Sequence, residues 1–165
     1  MLQKIKHYFK ELLFFTLFIT IISNVLSLYK AQELNKSNLS LNSHKLINNT
    51  LFTPNRYKSL MVHVWATWCP VCKAEIDNIQ RVSEYYEVVT IALDSGTDYE
   101  LHKYMQENGL DFRVINDSSK VISNSLNIAV LPTTLIYDKN QELVFSEVGY
   151  TSSFGLFIRM LWVSF

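Results

Sequence analysis

Two cysteines, Cys69 and Cys72, stand in the stretch Trp65-Ala66-Thr67-Trp68-Cys69-Pro70-Val71-Cys72, and the 165-residue chain has no others. Thiols at this spacing can form a reversible disulfide, attack a disulfide in another protein, or share a soft metal ion. The elements around them decide which. The apolar run Leu60-Met61-Val62-His63-Val64-Trp65 leads into the pair and predicts a strand covered on both faces. Lys73-Ala74-Glu75-Ile76-Asp77-Asn78-Ile79-Gln80 follows and predicts a helix. The pair therefore falls at a strand-to-helix junction. The first turn of a helix offers unpaired N–H groups and the positive end of the macrodipole. A thiolate held there is stabilised, and its pKa falls from about 8.5 to between about 3.5 and 7.5. Cys69 lies nearest the helix start and is the candidate nucleophile. Cys72, one turn on, is the candidate resolving thiol, and together they make a redox disulfide.

Other chemistries are constrained by what surrounds the pair. A closed zinc site needs four ligands, and no second Cys or Cys/His pair stands at ligand spacing, so no metal centre is expected. Cu(I) accepts two thiolates, and a non-enzymatic copper-binding module on the same cysteines remains an alternative. A purely structural disulfide is disfavoured, because so short a loop constrains almost nothing. A peroxide-reducing enzyme would need a Thr-x-x-Cys pocket, which is absent here.

Trp65-Ala66-x-Trp68-Cys69-Pro70-x-Cys72 resembles the active-site stretch of the thioredoxin fold. With Leu131-Pro132-Thr133-Thr134, Asn116-Asp117 and Gly149-Tyr150-Thr151, it is similar to membrane-anchored TlpA-like thiol-disulfide oxidoreductases, nearest the suppressor-of-copper-sensitivity protein D type. The resemblance runs from Lys58 to the end of the chain. It implies an α/β, thioredoxin-like three-layer sandwich with a central mixed sheet. It implies thiol-disulfide exchange with exported cysteine-containing proteins, with no cofactor, since the disulfide itself carries the two electrons. A membrane thiol reductant or oxidant would recycle the pair. A cis Leu131–Pro132 bond is implied beside the cysteines, with the Leu131 backbone left to pair with an incoming peptide. Trp68, Pro70 and Val71 would surround the reactive sulfur. Val71 offers no hydrogen-bond donor to a thiolate, which leans toward a reductant, but the direction of transfer stays open. His63 departs from the pattern, since thioredoxin has a buried acid there and TlpA-like proteins often have Asn. A neutral imidazole at that place can pass a proton to and from Cys72, or it can be a silent core histidine. Glu75 agrees with the TlpA-like pattern, and is either a redox participant or a surface acid complementing the helix dipole.

The remainder of the chain predicts how this centre is carried. Formal net charge is zero, so no pull toward nucleic acid is implied. Lys4, Lys6, His7 and Lys10 precede an apolar run from Leu12 to Leu28. At about 17 residues this run is at the short end for a membrane span. With only a poor cleavage site at Asn24-Val25-Leu26-Ser27, a retained signal-anchor is expected over a cleaved signal peptide. The basic N-terminal end places Met1 in the cytoplasm. The catalytic domain would then lie on the periplasmic or extracytoplasmic side of the inner membrane. The expected organisation is a stub and single transmembrane anchor at 1–28, a polar tether at 29–43, and a thioredoxin-like domain at 44–165.

Within that domain a first strand is expected between His44 and Tyr57. A helix is expected from Cys69 to Tyr85, with Val71, Ile76, Ile79 and Val82 inward. Val88 to Leu93 predicts a second buried strand, and Asp98 to Asn108 a helix capped near Thr97 or Asp98 and closed by Gly109. His102 and Met105, one turn apart, are either copper ligands or an ordinary surface His and core Met. Phe112 to Ile115 is a short apolar piece, and Asn116-Asp117-Ser118 caps a brief helix through Leu126. A hairpin follows, with strands from Pro132 to Tyr137 and from Glu142 to Ser146. The closing helix, Ser152 to Val163, turns Phe154, Phe157, Ile158 and Leu161 to the core. It is too short for a second membrane span and contains Arg159.

Overall fold

The computed structural model describes residues 10–18, 22 and 44–165. The chain forms two compact units, Met1–Glu33 and Leu34–Phe165. In the first, residues 10–18 are helical (α1), with Leu12, Leu13, Phe14, Phe15, Leu17 and Phe18 exposed. The rest of the expected anchor, apart from residue 22, lies outside the described residues, as does the expected tether. Among the described residues no helix is long and apolar enough to cross a membrane.

The second unit is built on a five-stranded sheet in the order β5-β4-β3-β6-β7. Its strands are β3 (Leu60–Trp65), β4 (Glu87–Leu93), β5 (Arg113–Asp117), β6 (Thr133–Tyr137) and β7 (Leu143–Val148). β3, β4 and β5 run parallel, while β6 and β7 are antiparallel additions, so the sheet is mixed. Every residue of β3 is buried, as its unbroken apolar pattern requires of a central strand. The expected first strand is instead a small antiparallel hairpin, β1 (His44–Lys45) and β2 (Leu51–Phe52). This hairpin docks on the β5 edge through the Leu46↔Ile115 bridge and the Ile47 N–H to Val114 C=O bond of 3.0 Å. β7 is the opposite edge, and its register slips between Ile136 and Tyr137, where Val144 is the extra residue.

Four helices complete the domain: α2 (Pro70–Ser83), α3 (Asp98–Glu107), α4 (Val121–Ser125) and α5 (Ser153–Ser164). α2 buries Cys72, Glu75, Ile76, Ile79 and Val82, a stripe at helical spacing. Val71 is not part of it: it is 42% exposed, because it sits in the first turn of α2, at the exposed helix N-terminus. α3 starts with a capping box in which Thr97 Oγ1 accepts from the Glu100 N–H while Glu100 Oε2 accepts from the Thr97 N–H. α4 has Lys120 at its N-cap in the left-handed region (φ 61°), and the Asp117 carboxylate caps it from further back. It accepts from the Ile122 and Ser123 N–H groups and from the Ser123 hydroxyl. α5 buries Leu156 and Met160, not the expected set. Phe154, Ile158 and Leu161 face outward, and only Phe157 packs partly on the core. Apolar residues surround this helix, so periodicity alone does not say which side is inner.

Candidate active site

Cys69 is the N-cap of α2, in extended backbone conformation, and Pro70 takes the first helical position, where no N–H is needed. The Cys69 sulfur accepts from the Cys72 N–H at 3.2 Å, the bond an anionic sulfur would also receive. The two sulfurs are joined in a disulfide, with Cα atoms 5.3 Å apart. Cys72 is wholly buried and Cys69 is 5% exposed, so Cys69 is the sulfur an incoming group meets first. Trp68 and Val71 stand beside it as exposed apolar surface. The Trp68 indole is held by a 2.9 Å bond from Nε1 to the Asp94 carbonyl. The Thr67 N–H donates to Ser95 Oγ at 3.0 Å, so the approach loop is fixed to the end of β4.

Beneath the pair the sheet presents polar groups in an otherwise apolar layer. Alternation along β3 puts His63 on the same face as Met61 and Trp65, which pack in one cluster with Cys69, Cys72 and Ile76. His63 lies in register with Thr90 on β4 and Thr134 on β6. Its Nδ1 meets Thr134 Oγ1 at 2.9 Å, and its Nε2 is buried without a partner. Burial pushes the imidazole down to about 3, so it is neutral at ordinary pH and a weak base. Thr90 Oγ1 accepts from Trp65 Nε1 at 3.0 Å.

Glu75 is fully buried, which overturns the surface-acid reading. It lies one turn after Cys72 on the inner stripe of α2, where helical spacing gives it no route to solvent. Oε1 accepts from the Thr151 N–H at 3.2 Å, and Oε2 has no partner. Desolvation pushes its pKa up to about 8, partly opposed by the Thr151 bond. The loop before α5 is tied to α2 a second time. Asn78 Nδ2 donates to the Thr151 carbonyl at 3.1 Å, and the Ser153 hydroxyl donates to Asn78 Oδ1 at 2.6 Å.

The Leu131–Pro132 bond is cis. Pro132 is buried, its carbonyl accepts from the Gly149 N–H at 2.8 Å, and Leu131 packs against the cluster that holds both cysteines. Gly149 takes φ 94°, a turn closed to ordinary side chains. His102 and Met105 do not converge: His102 Nε2 bonds the Ile47 carbonyl at 3.0 Å, and Met105 is buried in the core. Among the described residues no group of three or more His, Cys, Asp or Glu is gathered to hold a metal ion. Thr134 enters the sequence reading only as part of the Leu131-Pro132-Thr133-Thr134 match; its contact with His63 was missed, and its register partner on β3 is the signal that locates it.

A redox cysteine pair at a helix N-terminus, in a mixed-sheet α/β fold of thioredoxin type, defines a thiol-disulfide oxidoreductase. The AhpC/TSA family model matches residues 29–146, and the chain belongs to that family. It is 29% identical over 171 residues to a thioredoxin-like protein of Haemophilus influenzae, covering 99% of both chains. It is 33% identical over 91 residues to the thiol-disulfide oxidoreductase ResA of Oceanobacillus iheyensis, covering 52% of this chain and 47% of that one. The ResA match thus spans about half of that relative's length. A thiol:disulfide interchange protein of the thioredoxin family from Chlorobium tepidum shares the fold, with a TM-score of 0.69 and 19% identity over 79% of this chain and 98% of that one.

Proposed function

We propose that the chain exchanges disulfides with exported proteins outside the cytoplasmic membrane, to which residues 12–28 anchor it. The observation that carries the exchange chemistry is the Cys69 sulfur at the α2 N-cap, hydrogen-bonded by the Cys72 N–H. In the reducing direction the Cys69 thiolate attacks one sulfur of a client disulfide. The client S–S bond breaks, its other sulfur leaves and takes a proton, and Cys69 is left in a mixed disulfide. Cys72, as thiolate, then attacks the Cys69 sulfur, releasing the second client thiol and forming the Cys69–Cys72 disulfide. The client gains two electrons and two protons. A membrane thiol reductant restores the pair; an oxidant would drive the reverse sequence. Val71, with no donor to offer a thiolate, favours the reducing direction.

The resolving step needs a proton acceptor for buried Cys72. Two candidates share its environment, and proton transfer works best between groups of matched pKa. Glu75, held near 8, suits a thiol, while His63, held near 3, is a weak base. Glu75 is therefore assigned the proton, which it accepts in the ionised form populated as pH nears 8, and His63, fixed through Thr134, the role of polar neighbour. Trp68 and Val71 offer a client an apolar surface, with Leu131 and Pro132 beside the pair. Support for the anchor is the apolar run Leu12–Leu28 behind Lys4, Lys6 and Lys10.

The test is covalent trapping in cells. Cys72→Ala is expected to accumulate client proteins joined to Cys69, visible on a non-reducing gel and lost on reduction, while Cys69→Ala traps none. Trapping by the Cys69 variant alone would reverse the roles. Trapping by neither, with both variants retaining Cu(I), would replace exchange with copper binding.

A further inference from the structure

The outer side of α5 has no role in the exchange chemistry. Phe154, Ile158, Leu161 and Trp162 are 75, 48, 50 and 73% exposed. At the helical angle per residue they fall within an arc of about 100°, opposite the buried Leu156 and Met160. Arg159, the one charged residue of the helix, is turned off this stripe. Its Nε pairs with Glu147 Oε1 at 2.8 Å and its Nη1 donates to the Gly155 carbonyl at 2.9 Å. The result is a contiguous, uncharged, aromatic-rich face, unlike the single apolar residues that ordinarily dot a surface. Its border is amphipathic. Tyr85, largely exposed, stacks edge-on against Phe157 at 5.6 Å on one flank of it. Trp and Phe flanked by Tyr is the aromatic composition found at membrane–water interfaces.

We infer that this face of α5 rests in the headgroup region of the bilayer. The inference relies on the anchor proposed above. Residues 29–43 join that anchor to the domain. Fully extended, a 15-residue segment reaches no more than about 54 Å, and a domain of this size is about 35 Å across. The domain can therefore turn α5 to the bilayer but cannot leave its vicinity. A short linker gives an effective concentration of order mM, so an interfacial affinity too weak for a free domain is enough for a tethered one. Docking has a consequence for the cysteine pair. The N-terminal end of α5 is tied through Thr151 and Ser153 to Glu75 and Asn78, so the active site is held beside the membrane, where a membrane-embedded recycling partner meets it.

The full chain carries three tryptophans, Trp65, Trp68 and Trp162, which permits a direct test. The wild-type and Trp162→Phe chains are reconstituted into phosphatidylcholine–phosphatidylglycerol vesicles with ordinary or tail-brominated lipid. The Trp162 emission, taken as the difference between the two chains, is expected to fall by about twofold or more in brominated vesicles. Flotation with and without a carbonate wash separates this inference from the anchor. Chain that floats after carbonate with Trp162 unquenched keeps the anchor and overturns the docking. Chain that floats only before carbonate, with Trp162 quenched, keeps the docking and overturns the anchor. Chain that never floats overturns both. Unquenched Trp162 in a chain whose dimer is lost on Trp162→Phe would assign the face to a second copy and overturn the bilayer.

Discussion

Replacing Glu75 with Gln should change how stability depends on pH, and two buried groups with opposite pKa shifts, Glu75 and His63, set the shape of that change. Glu75 has its pKa raised from 4.5 to about 8, so between those values the native state keeps a proton the unfolded chain has released. Stability then falls as pH rises through that window. His63 has its pKa lowered from 6.5 to about 3, so between those values the unfolded chain holds a proton the native state lacks. Stability there rises with pH. Each unit is worth about 1.4 kcal/mol. From pH 4.5 to 6.5 the two slopes oppose each other and the joint contribution of this pair is level. Above it Glu75 acts alone, and the loss up to pH 8 is about 2 kcal/mol. Below it His63 acts alone, with a loss of about 2 kcal/mol down to pH 3. Glu75→Gln removes the falling limb, so the variant should gain stability up to pH 6.5 and then stay level. Urea unfolding of the oxidised protein, in which the thiols are silent, measures this. A variant that keeps the wild-type fall between pH 6.5 and 8 would show that the buried carboxyl is not what sets the limb.

In the reduced enzyme, Glu75→Gln should slow release of the mixed disulfide and flatten its pH dependence, while His63→Ala should lower the rate without flattening it. Stopped-flow thiol exchange across pH 5 to 9 (a range of about two units either side of neutrality) checks both, and a flattened His63 variant would return the proton to the imidazole. Asp117→Ala strands three donors of α4 and should cost about 2 kcal/mol in thermal or urea unfolding, leaving exchange unchanged.

Features encoded by near neighbours were legible in the sequence. The apolar run Leu60 to Trp65 is β3, and the cysteine pair sits at the strand-to-helix junction that its flanks predict. Thr97 followed by Glu100 is a local capping signal, and the capping box is present. Features that depend on distant partners were not. Glu75 shares its stripe with Cys72, Ile76 and Ile79, a hint that it is buried, but its backbone donor, Thr151, comes from a loop 76 positions away. Thr134 meets His63 across 71 positions, through strand register alone. His102 and Met105 are the surface His and core Met that the helix pattern favoured, but the partner of His102, the Ile47 carbonyl, lies in a hairpin that two-residue strands barely announce. In α5, hydrophobicity on all sides hid which face was inner, and the set expected to pack turned out largely to be the exposed one.

The two edges of the sheet carry different hazards of self-association. An unpaired edge strand is a template on which another chain can add itself. At β5 that template is occupied, since Leu46 and Ile47 take up Ile115 and Val114. At β7 no described strand follows, and the guard is the irregularity at Val144. An extra residue twists an edge out of the plane a newcomer would need. Removing Val144 would restore an even ladder from Leu143 to Val148 and make this margin adhesive. The bulge, far from the cysteines in sequence, thus bears on whether copies of the chain join one another edge to edge.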